Sequence, residues 1–527
     1  MRIGVDVGGT NTDAVLIDGK DVKAWTKMST TPDVGSGIKM AIRQVLSESG
    51  VDPQSLSGVM IGTTHFTNAF VERRGLLPVG VLRIGLPAGR ALPPMIDWPA
   101  DIAEAVGGHV HFVGGGYQFD GRMYAPLDEA AVAAAARNFK SKGIQTVAVT
   151  GVFSSVKSDM EERAAEILQE EMGEVNLTLS HTIGRLGILE RENAAIMNAS
   201  LADMARHVVG AFQTALKDLN ITAPFYISQN DGTLMSAEFV EKYPVLTFAS
   251  GPTNSMRGAA FLSGLEDAIV ADIGGTTTDI GVLNKGFPRE SSVTVDIGGV
   301  RTNFRMPDIL ALGLGGGSLV QNKNGQVIIG PRSVGYRLTE QAMVFGGGTL
   351  TTSDIAVAAG YAEMGDKTRV ADLSPALVET AVQKIHDMIA EGLDRMKTSG
   401  DPVPLILVGG GAVLVDRDIA GASEVIIPDY AGVANAIGAS IAQIGGEIDK
   451  VFSYEEVGRE TALAQAKAEA TRQAVAAGAE ENSVTILDVE EVPLAYVPGG
   501  AVRVRVKAAG DLSLIGGSAQ DSEKQGV

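Results

Sequence analysis

Short apolar runs alternate with amphipathic stretches along almost the whole chain, and this rhythm predicts its elements. Residues 3–7 are an apolar strand, 8–12 a glycine turn and 14–18 a second strand, so the opening reads as a β-hairpin. Helical spacing of Ile38, Met40, Ala41, Val45 and Leu46 predicts a helix over 36–49. Buried strands are expected at 59–61, 79–84, 146–153, 225–228 and 405–408, and helices at 128–142, 157–172 and 374–397. One long helical pattern covers 190–219 and is the expected connection between two halves. A second hairpin is expected from strands at 268–273 and 280–283. The last part changes character: an alanine-rich charged helix over 455–479, half-buried strands at 485–489 and 501–507, and a small, polar, mobile tail at 516–527. Alternating strands and helices predict an α/β protein.

At 527 residues the chain is too long for one ordinary core, so two or more domains are expected. The boundaries read as 1–189, 190–450 and 451–527. The formal charge of −20 disfavours nucleic acid and anionic membranes as partners. It leaves room for a local anion site, because backbone N–H groups bind phosphate without side-chain charge. There are no cysteines, which excludes disulfides, thiolate metal sites, cysteine-ligated iron–sulfur clusters and Cys nucleophiles. No charged-then-apolar leader opens the sequence and no apolar run reaches about 18 residues, so a cytoplasmic protein is expected.

The candidate chemistry lies in one repeated sentence. Residues 6–13 read DVGGTNTD and residues 272–279 read DIGGTTTD. In each, an apolar strand ends in Asp and runs into Gly-Gly-Thr. Paired glycines permit a tight turn whose successive N–H groups make a concave anion site. Gly8, Gly9, Thr10, Asn11 and Thr12 form the first such turn, and Gly274, Gly275, Thr276 and Thr277 the second. The threonine hydroxyls add donors suited to phosphate oxygens. Asp6 and Asp272 at the strand ends would repel phosphate unless a cation lay between, which implies Mg²⁺. Asp13 and Asp279 close the two sentences, either as proton acceptors near a terminal phosphate or as caps of the hairpin turns. Two facing turns would grip a polyphosphate from both sides. There is no Walker-type loop and no Gly-x-Gly-x-x-Gly opening a helix after a strand.

The two sentences, with LVGGGAVLV at 407–415, resemble the actin/Hsp70/sugar-kinase ATPase superfamily. That resemblance implies two related actin/Hsp70-like (RNase H-like) α/β domains flanking a nucleotide cleft, with a small α+β C-terminal segment beyond them. It assigns Gly409, Gly410 and Gly411 to the turn that holds adenosine. Four further stretches narrow the family: GTTHFTNAFVERRG at 62–75, ERENAAIMNASL at 190–201, SGPTNSMRGAA at 250–260 and ALGLGGGSLV at 311–320. They resemble the hydantoinase/oxoprolinase A family. The family implies ATP-dependent activation of a cyclic amide (a hydantoin, 5-oxoproline or another lactam) by phosphorylation of its oxygen. Water then opens the ring, with a B-type partner subunit, in an oligomeric enzyme. The sequence departs from longer family members at Tyr336, Arg337 and Leu338, where small residues and proline are expected.

Two other readings share the nucleotide site: a small-molecule kinase of the sugar-kinase type, and an ATP-switched reactivating or chaperone-like factor. Several residues carry weaker signals. His109 and His111 share a strand face at metal-ligand spacing, and His65 sits among Thr63, Thr64, Thr67 and Asn68. His181, Arg191 and Asn193 could reach a cleft, Arg73 and Arg74 could meet an anionic substrate, and glycines 315–317 with Ser318 could form a hinge or a substrate loop.

Overall fold

The computed structural model describes residues 1–9, 11–31, 33–184, 186–291, 295–303, 306–323, 326–495 and 500–513. Thr10 and the expected tail at 516–527 lie outside the described residues. The chain forms two compact units, one of Met1–Gly232 with Ser236–Ile441, the other of Thr233–Met235 with the chain from Ala442 onward.

In the larger unit, Arg2–Val7 pairs antiparallel with Asn11–Asp18 and parallel with Gly58–Thr63. Asp21–Ser29 continues the sheet on one side and Phe225–Ser228 on the other. Strand Arg2–Val7 is buried on both faces, which is why its sequence is a continuous apolar run. The second hairpin repeats this plan. Ala268–Ile273 pairs antiparallel with Thr278–Asn284 and parallel with Val403–Val408, and Ile309–Leu312 adds a third antiparallel strand. The repeated sentence therefore marks a repeated topology: two related α/β halves, each built around its own hairpin.

Between these halves in sequence lies a parallel sheet in the order His109–Gly114, Val79–Leu86, Thr146–Gly151, Asn176–Leu179. Helices Glu129–Ser141 and Asp159–Met172 pack their apolar stripes on it, with Phe139 and Leu168 fully buried. Helix Val34–Ser49 starts at Asp33, which accepts from the Ser36 N–H, and stops at Gly50 with φ 66°. Helix Pro375–Met396 has proline in its first turn and lays Ala381, Ile385, Ile389 and Leu393 against the core around the second hairpin.

The expected long helix over 190–219 is two helices, Ile188–Ser200 and Ala202–Asp218. The ladder breaks because the Ser200 carbonyl accepts from the Leu77 N–H at 2.9 Å, and the Ser200 hydroxyl turns back to the Met197 carbonyl at 2.7 Å. The alanine-rich helix of the tail likewise divides at Gly458, φ 76°, into Tyr454–Val457 and Arg459–Ala476.

In the smaller unit Gln443–Ser453, Ala501–Gly510 and Thr485–Pro493 form an antiparallel sheet. Helix Arg459–Ala476 covers it with Ala462, Ala466, Ala470 and Ala474, one residue per turn. A Cβ at Gly446 would sit 2.2 Å from the Ala470 carbonyl oxygen, so the alanine stripe and this glycine set a close approach. Among the described residues no helix is long and apolar enough to cross a membrane.

Candidate functional site

The two hairpins close in the same way. Asp6 faces Asp13 across the first ladder and Asp272 faces Asp279 across the second. The Gly8 N–H donates to the Asn11 carbonyl at 2.9 Å, and the Gly274 N–H donates to the Thr277 carbonyl at 2.9 Å. Both turns line one cavity of about 340 Å³ within the larger unit. Asp6, Gly8, Gly9, Asn11 and Asp13 contribute from the first hairpin, Asp272, Gly274 and Gly275 from the second, and Gly409, Gly410 and Gly411 from the third glycine turn. Thr12 is fully buried behind the first turn, with its hydroxyl 3.3 Å from that of Thr30. Thr276 and Thr277 are exposed at the second turn, and these two and Asp279 are outside the residues that line the cavity.

Two short-sided helices bring the hairpins together. Helix Ser250–Ser263 and helix Ala434–Ser440 cross at glycines: a Cβ at Gly258 would lie 1.9 Å from the Ala434 carbonyl oxygen, and one at Gly438 would lie 1.8 Å from that of Asn254. Gly4 gives the same clearance between the first hairpin and the second helix, 2.0 Å from the Ala436 carbonyl oxygen. This packing places Asn435 to donate to Asp6 Oδ2 at 2.9 Å. Gly62 leaves room for Asp6 itself, since a Cβ there would meet Asp6 Oδ1 at 2.4 Å.

Glycines 315–317 back the second turn. The Gly316 and Gly317 N–H groups donate to the Gly274 and Gly275 carbonyls at 2.9 and 2.7 Å. Ser353 donates to the Gly316 carbonyl at 2.8 Å and also lines the cavity. Gly316 itself lines the cavity, so these glycines both fix the carbonyls of the neighbouring turn and face the site.

Three carboxylates and one lysine line the cavity, and the carboxylates dominate its charge. Burial, and then the neighbouring Asp13 carboxylate, push Asp6 up to about 7, with Asn435 and Lys27 opposing. Burial raises Asp13 against the pull of Lys27. It also raises Asp272, against the hydrogen bond of Ser255, and with Asp272 it pushes Asp279 up to about 7. Asp6 Oδ1 is buried without a hydrogen-bond partner. An unpaired buried carboxylate oxygen suits a bound cation. Among the described residues no cluster of three or more His, Cys, Asp or Glu is placed to hold a metal. A cation here would take one or two carboxylates and complete its shell with oxygens of a ligand or water, the habit of Mg²⁺.

The weaker candidates lie elsewhere. His111 Nε2 is 3.0 Å from Asn138 Oδ1 and its ring packs edge-on against Phe139, so it serves the helix contact of its own sheet. His65 Nδ1 is 2.9 Å from the Thr63 hydroxyl. Arg191 is buried on Ser180 and the Gly151 carbonyl, and Glu192 pairs with Arg83 in the same interior. His181 binds the buried Glu161 at 2.7 Å. Arg73 pairs with Asp101.

Sequence reasoning missed Lys27, Ser255, Ser353, Leu338, Met364 and Asn435, all of which line the cavity. Extending the first hairpin's register across the next strand would have found Lys27, which faces Asp13 directly. Ser255 lies inside the quoted SGPTNSMRGAA stretch, and Leu338 is one of the three positions where the sequence departs from longer family members. Met364 carries no local signal.

The hydantoinase/oxoprolinase N-terminal region matches residues 2–172, and hydantoinase/oxoprolinase matches residues 191–366. The caprolactamase subunit alpha of Pseudomonas jessenii is 26% identical over 419 residues, 74% of this chain and 59% of that protein. The acetophenone carboxylase gamma subunit of Aromatoleum aromaticum is 26% identical over 432 residues, 74% of this chain and 57% of that protein. A 5-oxoprolinase of Pestalotiopsis fici is 23% identical over 405 residues, 67% of this chain and 31% of that protein. The chain thus spans less than two-thirds of the length of these curated relatives. Among solved structures, the ATP-dependent caprolactamase of Pseudomonas jessenii superposes with a TM-score of 0.78 at 21% identity, over 97% of this chain and 87% of that one. Nucleotide-free acetone carboxylase superposes with a TM-score of 0.67 at 18% identity, over 97% and 88%. The fold is the expected actin/Hsp70-like α/β architecture, and the chain belongs to the hydantoinase/oxoprolinase family.

Proposed function

We propose that this chain is the ATP-using subunit of an enzyme that activates a cyclic amide for ring opening. The observation that carries the reading is the joint lining of one cavity by both acidic glycine hairpins and the 409–411 turn. The turn N–H groups of Gly9 and Gly275 hold the phosphates, in turns that the Gly8 and Gly274 N–H groups close on Asn11 and Thr277, and Gly409, Gly410 and Gly411 support the nucleoside. Asp6 and Asp272 would hold Mg²⁺, which would supply positive charge to offset that of the phosphates. The lactam oxygen attacks the terminal phosphorus, ADP leaves, and an imidate phosphate forms. Water then adds at the activated carbon and the ring C–N bond breaks, leaving an acyl phosphate and a free amine. A second water adds at the same carbon, and phosphate departs with the former amide oxygen, which leaves a carboxylate. Asp279 and Asp13, beside the metal carboxylates on the same ladders, are the groups proposed to manage protons. The names of the caprolactamase and 5-oxoprolinase relatives support a cyclic amide, and their subunit titles support a partner subunit and an oligomer. We place the enzyme in the cytoplasm.

The acetophenone carboxylase relative, equally similar, favours a second reading: phosphorylation in support of ketone carboxylation. One assay separates them. Phosphate release with Mg²⁺ and ATP is measured against hydantoins, 5-oxoproline, simple lactams and ketones with bicarbonate, alone and with a co-expressed B-type subunit. A cyclic amide should raise the rate and appear as its ring-opened, unphosphorylated product. Asp272→Ala should lower that rate by about a hundredfold or more. Stimulation only by a ketone with bicarbonate selects the second reading, and no stimulation by any of them sinks both.

A further inference from the structure

We propose that Lys27 is the cation that holds the terminal phosphate of the bound nucleotide, tethered by Asp13, and that it makes the site select a triphosphate over a diphosphate. This rests on the nucleotide reading above.

Lys27 faces Asp13 directly across the ladder, and its Nζ donates to both carboxylate oxygens at 2.7 and 2.6 Å. The Asp13 side chain is 1% exposed and that of Lys27 is 32% exposed. One side of the ammonium is therefore anchored in the protein while the side chain still lines the cavity. An ammonium has three N–H donors, so two bonds to Asp13 leave one for a ligand. Lys27 is the one cationic side chain among the described residues lining the cavity, where Asp6, Asp13 and Asp272 supply three carboxylates. A polyphosphate entering such a wall needs fixed positive charge as well as turn N–H groups.

The second hairpin offers no counterpart. Asp279 faces Ala311 at the position where Asp13 faces Lys27. The two copies thus share Asp, Gly-Gly-Thr and the closing Asp and differ in the third strand, so the site carries a lysine at the first hairpin and none at the second among the described residues.

The third glycine turn says which end is which. A Cβ at Gly409 would lie 2.3 Å from Asp272 Oδ1, and the Gly411 N–H donates to the Ile273 carbonyl at 2.7 Å. That turn is built on the second hairpin. A nucleoside resting there sends its phosphate chain past the second hairpin toward the first. The phosphate farthest from the nucleoside then meets Lys27.

Calorimetric titration of Mg·ATP and of Mg·ADP tests this on the full chain and on Lys27→Met, Lys27→Arg and the double variant Lys27→Met/Asp13→Asn. Lys27→Met should weaken Mg·ATP by about 10- to 100-fold, the size of a lost charge-assisted bond, and Mg·ADP by less than about threefold. Lys27→Arg should recover most of the ATP affinity. The double variant removes both charges at similar volume, so it keeps the thermal melt of the parent if Asp13 alone was the folding problem, and it should still show the ATP-selective loss. Equal weakening of both nucleotides, or unchanged ATP affinity, overturns the proposal. If the parent binds Mg·ATP yet no cyclic amide or ketone raises its turnover, the function reading fails and the Lys27 result stands on binding. If the parent binds neither nucleotide, both fall.

Discussion

In the ligand-free molecule Asp6 and Asp279 keep their protons to about pH 7, because burial penalises the charged form and each faces another carboxylate. A carboxylate whose folded pKa lies above its unfolded value stabilises the fold fully below the unfolded pKa and loses that contribution as pH rises through the folded one. Their contribution is therefore present below about pH 4, the unfolded range for Asp, and lost as pH rises toward 7. The ligand-free protein should melt lower at pH 8 than these groups allow at pH 5.5, and Asp6→Asn should raise the pH 8 melting temperature by a few degrees and flatten the slope. A steeper slope in the variant would contradict this assignment. Much of this residue-scale picture was legible, since Asp6, Asp13, Asp272 and Asp279 stand in a sentence written twice. Lys27 and Asn435 were not, because one depends on the register of a third strand and the other on a helix crossing between distant segments.

Helix Ser250–Ser263 against helix Ala434–Ser440 is the element-scale feature on which the site depends. Gly438→Ala would put a Cβ 1.8 Å from a backbone oxygen, where no side chain can yield. The helices must separate, so the variant should lose about 3 kcal/mol or more in urea denaturation. Nucleotide affinity should fall with it, as Asn435 leaves Asp6. Gly210, inside helix Ala202–Asp218, has open space around it, and Gly210→Ala should gain about 0.5–1 kcal/mol in the same assay. Element positions were largely legible from periodicity, the hairpins above all. The break after Ser200 was not, because a carbonyl captured by Leu77 leaves the helical pattern of the sequence intact.

At the scale of the whole molecule, the larger unit holds two copies of one plan whose turns share a cavity. A ligand held from both hairpins adds its binding energy to folding, so Mg·ATP at about 100 times its Kd should stabilise the parent by roughly 2.7 kcal/mol. Asp272→Ala should show almost none of that shift in a thermal melt, and an equal shift would detach Asp272 from the ligand. The doubling was legible because the motif repeats with its strands. The order of the parallel sheet, 109–114 beside 79–86 beside 146–151, was not, because local pattern names strands and leaves their neighbours open.

The backing of the second turn by glycines 315–317 has a consequence for isotope labelling. In heavy water the Gly316 and Gly317 amides, each bonded to a carbonyl of the neighbouring turn, should keep their protium long after the amides of the exposed Gly9, Gly275 and Gly410 have taken up deuterium. A bound polyphosphate should slow the second group and leave the first unchanged. Exchange rates alone then separate the amides that build the cradle from those that face its ligand.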